Sequence, residues 1–315
     1  MAYPGHVRNV TLKHLRVLSA VTKMGSMAGA ARRLNVTPPA ITVQIQQLEQ
    51  AVGLPLVERI GDKTTPTEAG EIILRTAHRI EALLAECGGE IAQLKGIDGG
   101  AVSVGVVSTA KYFAPKALAV FRQRHPGVDV RLAVGNRQET IRALRDLELD
   151  LAIMGRPPEN IDLESVSLGI HPHIIVAPAG HPLTGAKLTI ADLSKETFFV
   201  REPGSGTRLL MERLFEQADF DPIVGMEIGS NETIKQAVIA GLGVAFISAH
   251  TVASEIADGR LVMLDVAGLP VKREWYAVRI REKAVMPAGQ AMWSFLSTEG
   301  HKFLPQPAPC PKNSP

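Results

Sequence analysis

The stretch Ser26 to Glu49, SMAGAARRLNVTPPAITVQIQQLE, constrains this chain more than any other. Met27, Ala30, Ala31 and Leu34 fall at i, i+3, i+4 and i+7, which predicts one apolar helix face. Asn35-Val36-Thr37 breaks that pattern. Thr37 suits an N-cap, and Pro38 fits a first helical position, where no amide hydrogen is missed. In the next helix Ile41, Ile45 and Leu48 make the buried face, which leaves Pro38, Pro39, Thr42, Val43 and Gln46 pointing away from any core. An ordinary helical hairpin would share this spacing. A polar face that nothing inside the protein requires suits a helix laid in a DNA major groove.

The surroundings favour the DNA reading. Residues 1–66 carry eight Lys or Arg against three acids, and the remaining chain has a slight acidic excess. A basic head on a mildly acidic body is the expected form of a phosphate-binding module attached to something else. Leu12, Leu15, Leu18 and Val21 predict a helix that covers the pair. Beyond the stop at Gly53-Leu54-Pro55, residues 56–59 and 64–67 predict a hairpin turned by Gly61-Asp62-Lys63. With Arg59 and Lys63 it reads as a wing aimed at phosphates or the minor groove. Scarce aromatic residues argue against single-strand binding by base stacking.

Thr67 predicts the cap of a long helix reaching about Leu94. Ile73, Ala77, Ile80, Leu84, Cys87, Ile91 and Leu94 form a narrow heptad seam, which calls for a partner helix, most simply from a second copy. Cys87 on that seam reads as a small buried hydrophobe. With Cys310 it is one of two widely separated cysteines, which make neither a disulfide framework nor a zinc site. GIDGG at 96–100 reads as a hinge. The expected division is therefore a head at 1–66, a linker helix at 67–95, a body at 96–304 and a disordered proline-rich tail at 305–315.

From Ala101 strands alternate with helices. AVSVGVV, VDVRLAV and LDLAIM read as buried parallel strands separated by helices near 111–124 and 137–147. HIIVAP, TFFV, IVGMEI and VAFIS follow, with helices near 206–218 and 232–241. A late strand, REWYAVR, and a helix through Trp293 and Phe295 return to the first set. The fold expected is α/β with two lobes, about 96–170 plus 268–304 and 171–267, joined by crossing strands around a cleft. Three strand-to-helix corners, Val107–Lys111, Gly204–Arg208 and Gly229–Thr233, offer hydroxyls, amide hydrogens and helix N-termini to an anion. Lys111, Arg156 and Arg208 would add charge. Ordinary helix capping explains any one corner; recurrence at the cleft edge favours a shared ligand.

Other chemistry finds little support. Gly241-Leu242-Gly243 lacks the third glycine of a dinucleotide fingerprint, and GSGTR lacks the ending of a phosphate loop. His171 and His173 read only as crossing-strand residues. No nucleophile elbow, metal cluster or paired carboxylates stand out, so no enzyme, cofactor or metal is expected. No apolar run reaches membrane-spanning length and the start lacks a signal sequence, so the expected setting is the cytoplasm, without membrane contact.

AARRLNVTPPAITVQIQQLE, GLPLVER and TPTEAG in the head resemble the LysR-type transcriptional regulators, over essentially the whole chain to about residue 300. In the body STAKYFAPKAL, FRQRHPGVDVRL, GNRQETI, LDLAIMGRPP, REPGSGTR and GSNETIKQAVIAGLGVAFIS resemble the subgroup that controls Calvin-cycle carbon-fixation operons. The resemblance implies a winged helix-turn-helix, a dimerising linker helix and an effector domain like a periplasmic binding protein. It also implies a homodimer or homotetramer on a two-fold operator in double-stranded DNA, with RNA polymerase a further candidate contact. The DNA-binding residues expected are Arg32, Thr37, Pro38, Pro39, Thr42, Val43, Gln46, Arg59 and Lys63. For the effector they are Ser108, Thr109, Lys111, Asn136, Arg156, Ser205, Gly206, Thr207, Arg208, Ser230, Asn231, Glu232 and Thr233. The implied effectors are a phosphorylated sugar such as ribulose bisphosphate, or NADPH. The head departs from the family at Pro38, where Gln is usual, at Thr42, often Ser, and at Val43, often Arg or Met; the wing has Val57 for Phe and Pro66 for Leu. The rival readings are a LysR-type regulator of sulfur, nitrogen or aromatic metabolism, and an enzyme or solute-binding protein with an incidental head.

Overall fold

The computed structural model describes residues 9–94, 99–281, 283 and 286–305, and the chain divides into two compact units, 1–88 and 89–315. The expected hinge around 96–100 lies largely, and the proline-rich tail almost wholly, outside the described residues.

In the first unit, α1 (Leu12–Met24) starts at Thr11, whose hydroxyl accepts from His14 N, and stops at Gly25 in the left-handed region. Ser26 caps α2 (Met27–Leu34) by accepting from Gly29 N at 3.0 Å. Asn35, at φ 54°, turns the chain into α3 (Pro38–Val52). Thr37 does stand at the N-cap, but its side chain makes no capping bond; the prolines at the first positions remove amides that would need one. Val17, Leu18, Val21, Ala30, Ala31, Ile41, Ile45 and Leu48 close the core. Leu12, the first residue of α1, is 38% exposed, whereas Val17, outside the expected face, is buried.

The hairpin β1 (Val57–Ile60) and β2 (Lys63–Pro66) pairs Val57 with Pro66 and Ile60 with Lys63. Thr64 N donates to Gly25 O at 2.8 Å, which ties the hairpin to the turn between α1 and α2. Thr67 Oγ1 accepts from Gly70 N at 3.1 Å and donates to Pro55 O at 2.7 Å, so one hydroxyl caps α4 (Glu68–Leu94) and anchors the loop before the hairpin. At 1.5 Å per residue this helix is about 40 Å long. Ala77 and Leu74 are buried and Ile73 packs on the core, whereas Leu84 and Ile91 are 43% and 46% exposed and Cys87 is exposed too. The head's own core therefore absorbs the start of the heptad seam. The expected burial of Cys87 does not occur within one chain.

The second unit contains β3 (Gly100–Val107), α5 (Ala114–Arg124), β4 (Val128–Gly135), α6 (Arg137–Arg145), β5 (Leu151–Met154) and the long β6 (Leu163–Pro178). Then come β7 (Lys187–Leu188), β8 (Thr197–Arg201), α7 (Gly206–Gln217), β9 (Ile223–Ile228), α8 (Asn231–Ile239) and β10 (Val244–Ser248). Finally α9 (Ala253–Ala257), β11 (Leu261–Met263), β12 (Asp265–Val266), β13 (Val271–Ile280) and α10 (Pro287–Glu299) complete it. One sheet runs β4-β3-β5-β13-β6-β10-β8-β9, with β11 also on β6. Its two ends are parallel, and the middle is the antiparallel pair β6 and β13. Those are the crossing strands, so the two-lobed α/β architecture is present. The expectation of wholly buried strands fails at β4 and β9, because both are sheet edges and present Val134, Ile223 and Val224 to the outside. One lobe packs around Phe113, Phe121, Trp275 and Trp293, and the other carries a core on each face of its sheet.

A Cβ built at Gly70 would stand 2.0 Å from Leu56 O, so TPTEAG needs its glycine for close approach of backbone. Gly70→Ala should destabilise the first unit by about 1–3 kcal/mol through overpacking, seen as an earlier urea unfolding transition with the body's transition unchanged.

Candidate functional site

Two places carry chemistry. On the first unit, Thr37, Pro38, Pro39, Thr42, Val43 and Gln46 are all exposed, opposite buried Ile41, Ile45 and Leu48. Arg32 lies exposed in the last turn of α2. On the hairpin Lys63 is exposed, and Arg59 Nε donates to Gly61 O at 3.0 Å while Nη2 approaches Asp62 at 3.4 Å. That ion pair is fully solvated and worth little, so it can yield to a phosphate. Thr42 Oγ1 donates to Pro38 O at 3.2 Å.

On the second unit a cavity of about 540 Å³ lies between the lobes, against the crossing strands. Of the residues expected to hold an effector, it brings together Ser108, Thr109, Asn136, Arg156, Ser205, Gly206 and Thr207. Ser205 stands at the N-cap of α7 without a capping bond of its own, so its hydroxyl and the first amides of that helix are available. Asn136 accepts from Glu139 N at 2.9 Å and is committed to capping α6.

The rest of the expected set lies off the cavity lining. Arg208 pairs with Glu212 and Glu227 and donates to Arg201 O. Lys111 sits 5.2 Å from the Tyr112 ring centroid. Ser230 caps α8 through Thr233 N, and Glu232 accepts from Tyr112 Oη and pairs with Lys235 at 3.0 Å. Asn231 is buried one step behind the lining, where Oδ1 accepts from Arg201 and Nδ2 donates to Ser108 O.

Around the expected Arg156 the cavity also gathers five arginines that motif reasoning missed. Arg137, Arg145, Arg156, Arg201, Arg213 and Arg273 line it, against Glu159 as the one acidic lining residue. Arg201, 2% exposed, is held by both Glu202 carboxylate oxygens, by Asn231 and by Ser108 Oγ at 3.0 Å. Arg156 pairs with Glu159, and Arg137 Nη1 donates to Arg156 O at 2.7 Å. Burial first, then the neighbouring arginines, lower the guanidinium pKa of Arg137 and Arg273. Clustered cations deprived of water make a strong field for an anion.

His171 and His173 also line the cavity, on β6. His171 stacks on Trp275 with centroids 3.7 Å apart, and its Nε2 lies 3.0 Å from Ser248 Oγ. Burial pushes His173 down to about 3 and His171 well below the usual imidazole value. Behind them His250, pushed down to about 4 by burial, accepts from Trp275 Nε1 at 3.1 Å. All three are neutral at pH 7. Register could have exposed this face in advance: β13 places Arg273 opposite His171.

The family model of the LysR substrate binding domain matches residues 95–300, and that of the bacterial LysR-family regulatory helix-turn-helix protein matches 12–71. The chain belongs to the LysR family. It is a DNA-binding transcriptional regulator. It is 54% identical over 299 residues to the HTH-type transcriptional regulator CbbR of Xanthobacter flavus, across 94% of this chain and 90% of that protein. It is 40% identical over 296 residues to the RuBisCO operon transcriptional regulator of Allochromatium vinosum, across 94% and 98%. The CcmR regulatory domain of Synechocystis PCC6803, solved in complex with 2-PG, is 38% identical with a TM-score of 0.61, covering 64% of this chain and 96% of that one. Full-length CbnR, a solved complex with its target DNA, is 25% identical with a TM-score of 0.63, covering 92% and 99%. Among the described residues no helix is long and apolar enough to cross a membrane.

The buried histidines make the LysR effector domain acid-sensitive. Their folded pKa values lie below the 6.5 of a free imidazole, so the unfolded chain binds more protons in between. Stability is fully present above pH 6.5 and falls as pH drops towards 4, at about 1.4 kcal/mol per pH unit for each histidine. Urea unfolding between pH 7 and 5 should show this slope, and His173→Phe should reduce it by about one proton.

Proposed function

We propose that this regulator controls a carbon-fixation operon and senses a phosphorylated metabolite of that pathway in the arginine-lined cavity. The observation that carries the proposal is the cavity itself: six arginines against one acid, with the α7 N-terminus at its edge. That charge balance argues against a cationic ligand. The relatives' names supply the pathway, and the CcmR domain's 2-PG supplies a precedent for a small phosphorylated anion. Ribulose bisphosphate, NADPH and 2-phosphoglycolate are the compounds to test.

The reading assigns no catalysis: the cavity histidines are neutral and stacked, and the protein acts by binding. Thr42, Val43, Gln46 and the helix entrance at Thr37–Pro39 face the bases, and Arg32, Arg59 and Lys63 hold phosphates. The exposed seam at Leu84, Cys87 and Ile91 pairs with a second copy, and the resulting heads demand a two-fold operator. Pairs of such dimers form a tetramer in the cytoplasm.

Coupling between ligand and DNA runs through Arg201. It spans the cavity wall to Ser108 of the opposite lobe, beside a second inter-lobe bond from Gln138 N to Gly204 O at 3.2 Å. An anion that competes for Arg201 weakens one lobe arrangement relative to another, and such coupling is typically worth about 1–3 kcal/mol.

Footprinting on the protein's own upstream DNA, with and without each compound, tests the reading. A protected two-fold site whose boundary moves with one of them is expected; a footprint indifferent to all three would reject the effector class. Arg273→Gln should weaken effector binding at least roughly tenfold, as the loss of a charged hydrogen bond does, and leave the ligand-free footprint unchanged. Arg59→Ala should weaken DNA binding and spare effector affinity.

A further inference from the structure

We propose that the recognition helix of this protein reads the C5-methyl group of thymine through Val43, packed beside the rings of Pro38 and Pro39. The inference rests on α3 being the groove-facing helix. Val43 is 47% exposed, while Ile41 and Ile45, two residues either side, are 1% and 3% exposed. It therefore sits squarely opposite the core, with nothing in its own unit to cover it. A β-branched residue is no better than average for a helix, and its apolar surface gains nothing from water.

The rest of the face narrows what it can meet. The sequence of α3, PPAITVQIQQLEQAV, contains no Lys or Arg, so the bidentate contact that reads guanine has no donor there. Glu49, its one acid, is half-buried and turned to the loop before the hairpin, where its Oε1 accepts from Leu56 N at 2.8 Å. The Thr42 hydroxyl gives its hydrogen to Pro38 O. Pro38 and Pro39 have no amide hydrogen to give. What remains outward is apolar surface from Val43 and the proline rings, with the amides of Gln46, Gln47 and Gln50 one to two turns on. In the major groove the apolar feature on a base edge is the thymine methyl, and a glutamine amide matches adenine. The face is built for A·T pairs read largely by shape and methyl contact.

The test begins with a duplex selected from a randomised library by the full-length protein. Deoxyuridine then replaces thymine one position at a time, which deletes the methyl and keeps every hydrogen-bonding group. Expected is one sensitive thymine in each half-site, related by the dyad, each substitution weakening binding by about fourfold. Val43→Ala should bind the thymine duplex no better than wild type binds the uracil duplex, and should no longer distinguish the two. A tight footprint indifferent to every uracil, or selected half-sites without a fixed thymine, overturns the proposal. So does a Val43→Ala protein that still discriminates. A Val43→Glu protein with an undiminished footprint would instead show that α3 does not enter the groove, and so remove the assignment on which the proposal rests.

Discussion

The body depends on the antiparallel pairing of β6 with β13. These strands run as neighbours from Leu163–Ile280 to His173–Val271, and each lobe's parallel strands attach to one side of them. Leu168 is squeezed out of register between the pairs Trp275–Gly169 and Tyr276–Ser167, and Gly169 takes a φ of 127° there. A bulge with a glycine bends a ladder without breaking it. Two pairs beyond Trp275–Gly169, Arg273 stands opposite His171. The junction of the lobes and the floor of the cavity are thus one feature.

That junction has an electrostatic cost, and the neighbourhood shows how it is met. Arg201 is almost wholly buried yet fully engaged: a carboxylate, an amide and a hydroxyl surround its guanidinium. Arg137 and Arg273 have less compensation, and their protonated forms are disfavoured by burial and by one another. A protein selected for stability alone would exchange some of these for apolar residues, since buried charge is rarely a net gain. The surplus makes sense for a site completed by an anion. Neutral histidines beside them add polarity without adding to the repulsion.

How much of this was legible follows from how local each signal is. The head was readable because Met27, Ala30, Ala31 and Leu34, or Ile41, Ile45 and Leu48, state their burial within two turns of chain. The strand-helix alternation of the body was equally local. Whether a strand is central or an edge is not: VDVRLAV and AVSVGVV look alike, and only the sheet order makes the first an edge. The cavity was half legible. Corners at Ser108 and Ser205 announce themselves by composition, whereas Arg137, Arg213 and Arg273 come from separate helices and a strand that only the fold brings together. Arg208 misled for the converse reason. It follows a promising corner but has Glu212 and Glu227 within reach, and a paired arginine turns away from the cavity.

The two halves fit one economy of binding. A recognition face with an amide and apolar surface, and without cations, gains only modest energy per half-site, so most of a single head's affinity comes from phosphate contacts that carry no sequence information. Specificity then has to come from two heads held at a fixed spacing, because the second contact is made at a high effective concentration when the geometry fits and is lost when it does not. A regulator of this kind has no need of a large change at the protein–base interface. An effector that moves the heads by a fraction of a helical turn acts on the term that the weak recognition face makes decisive. Weak reading by each head would let an effector in the proposed cavity of the other unit govern DNA binding.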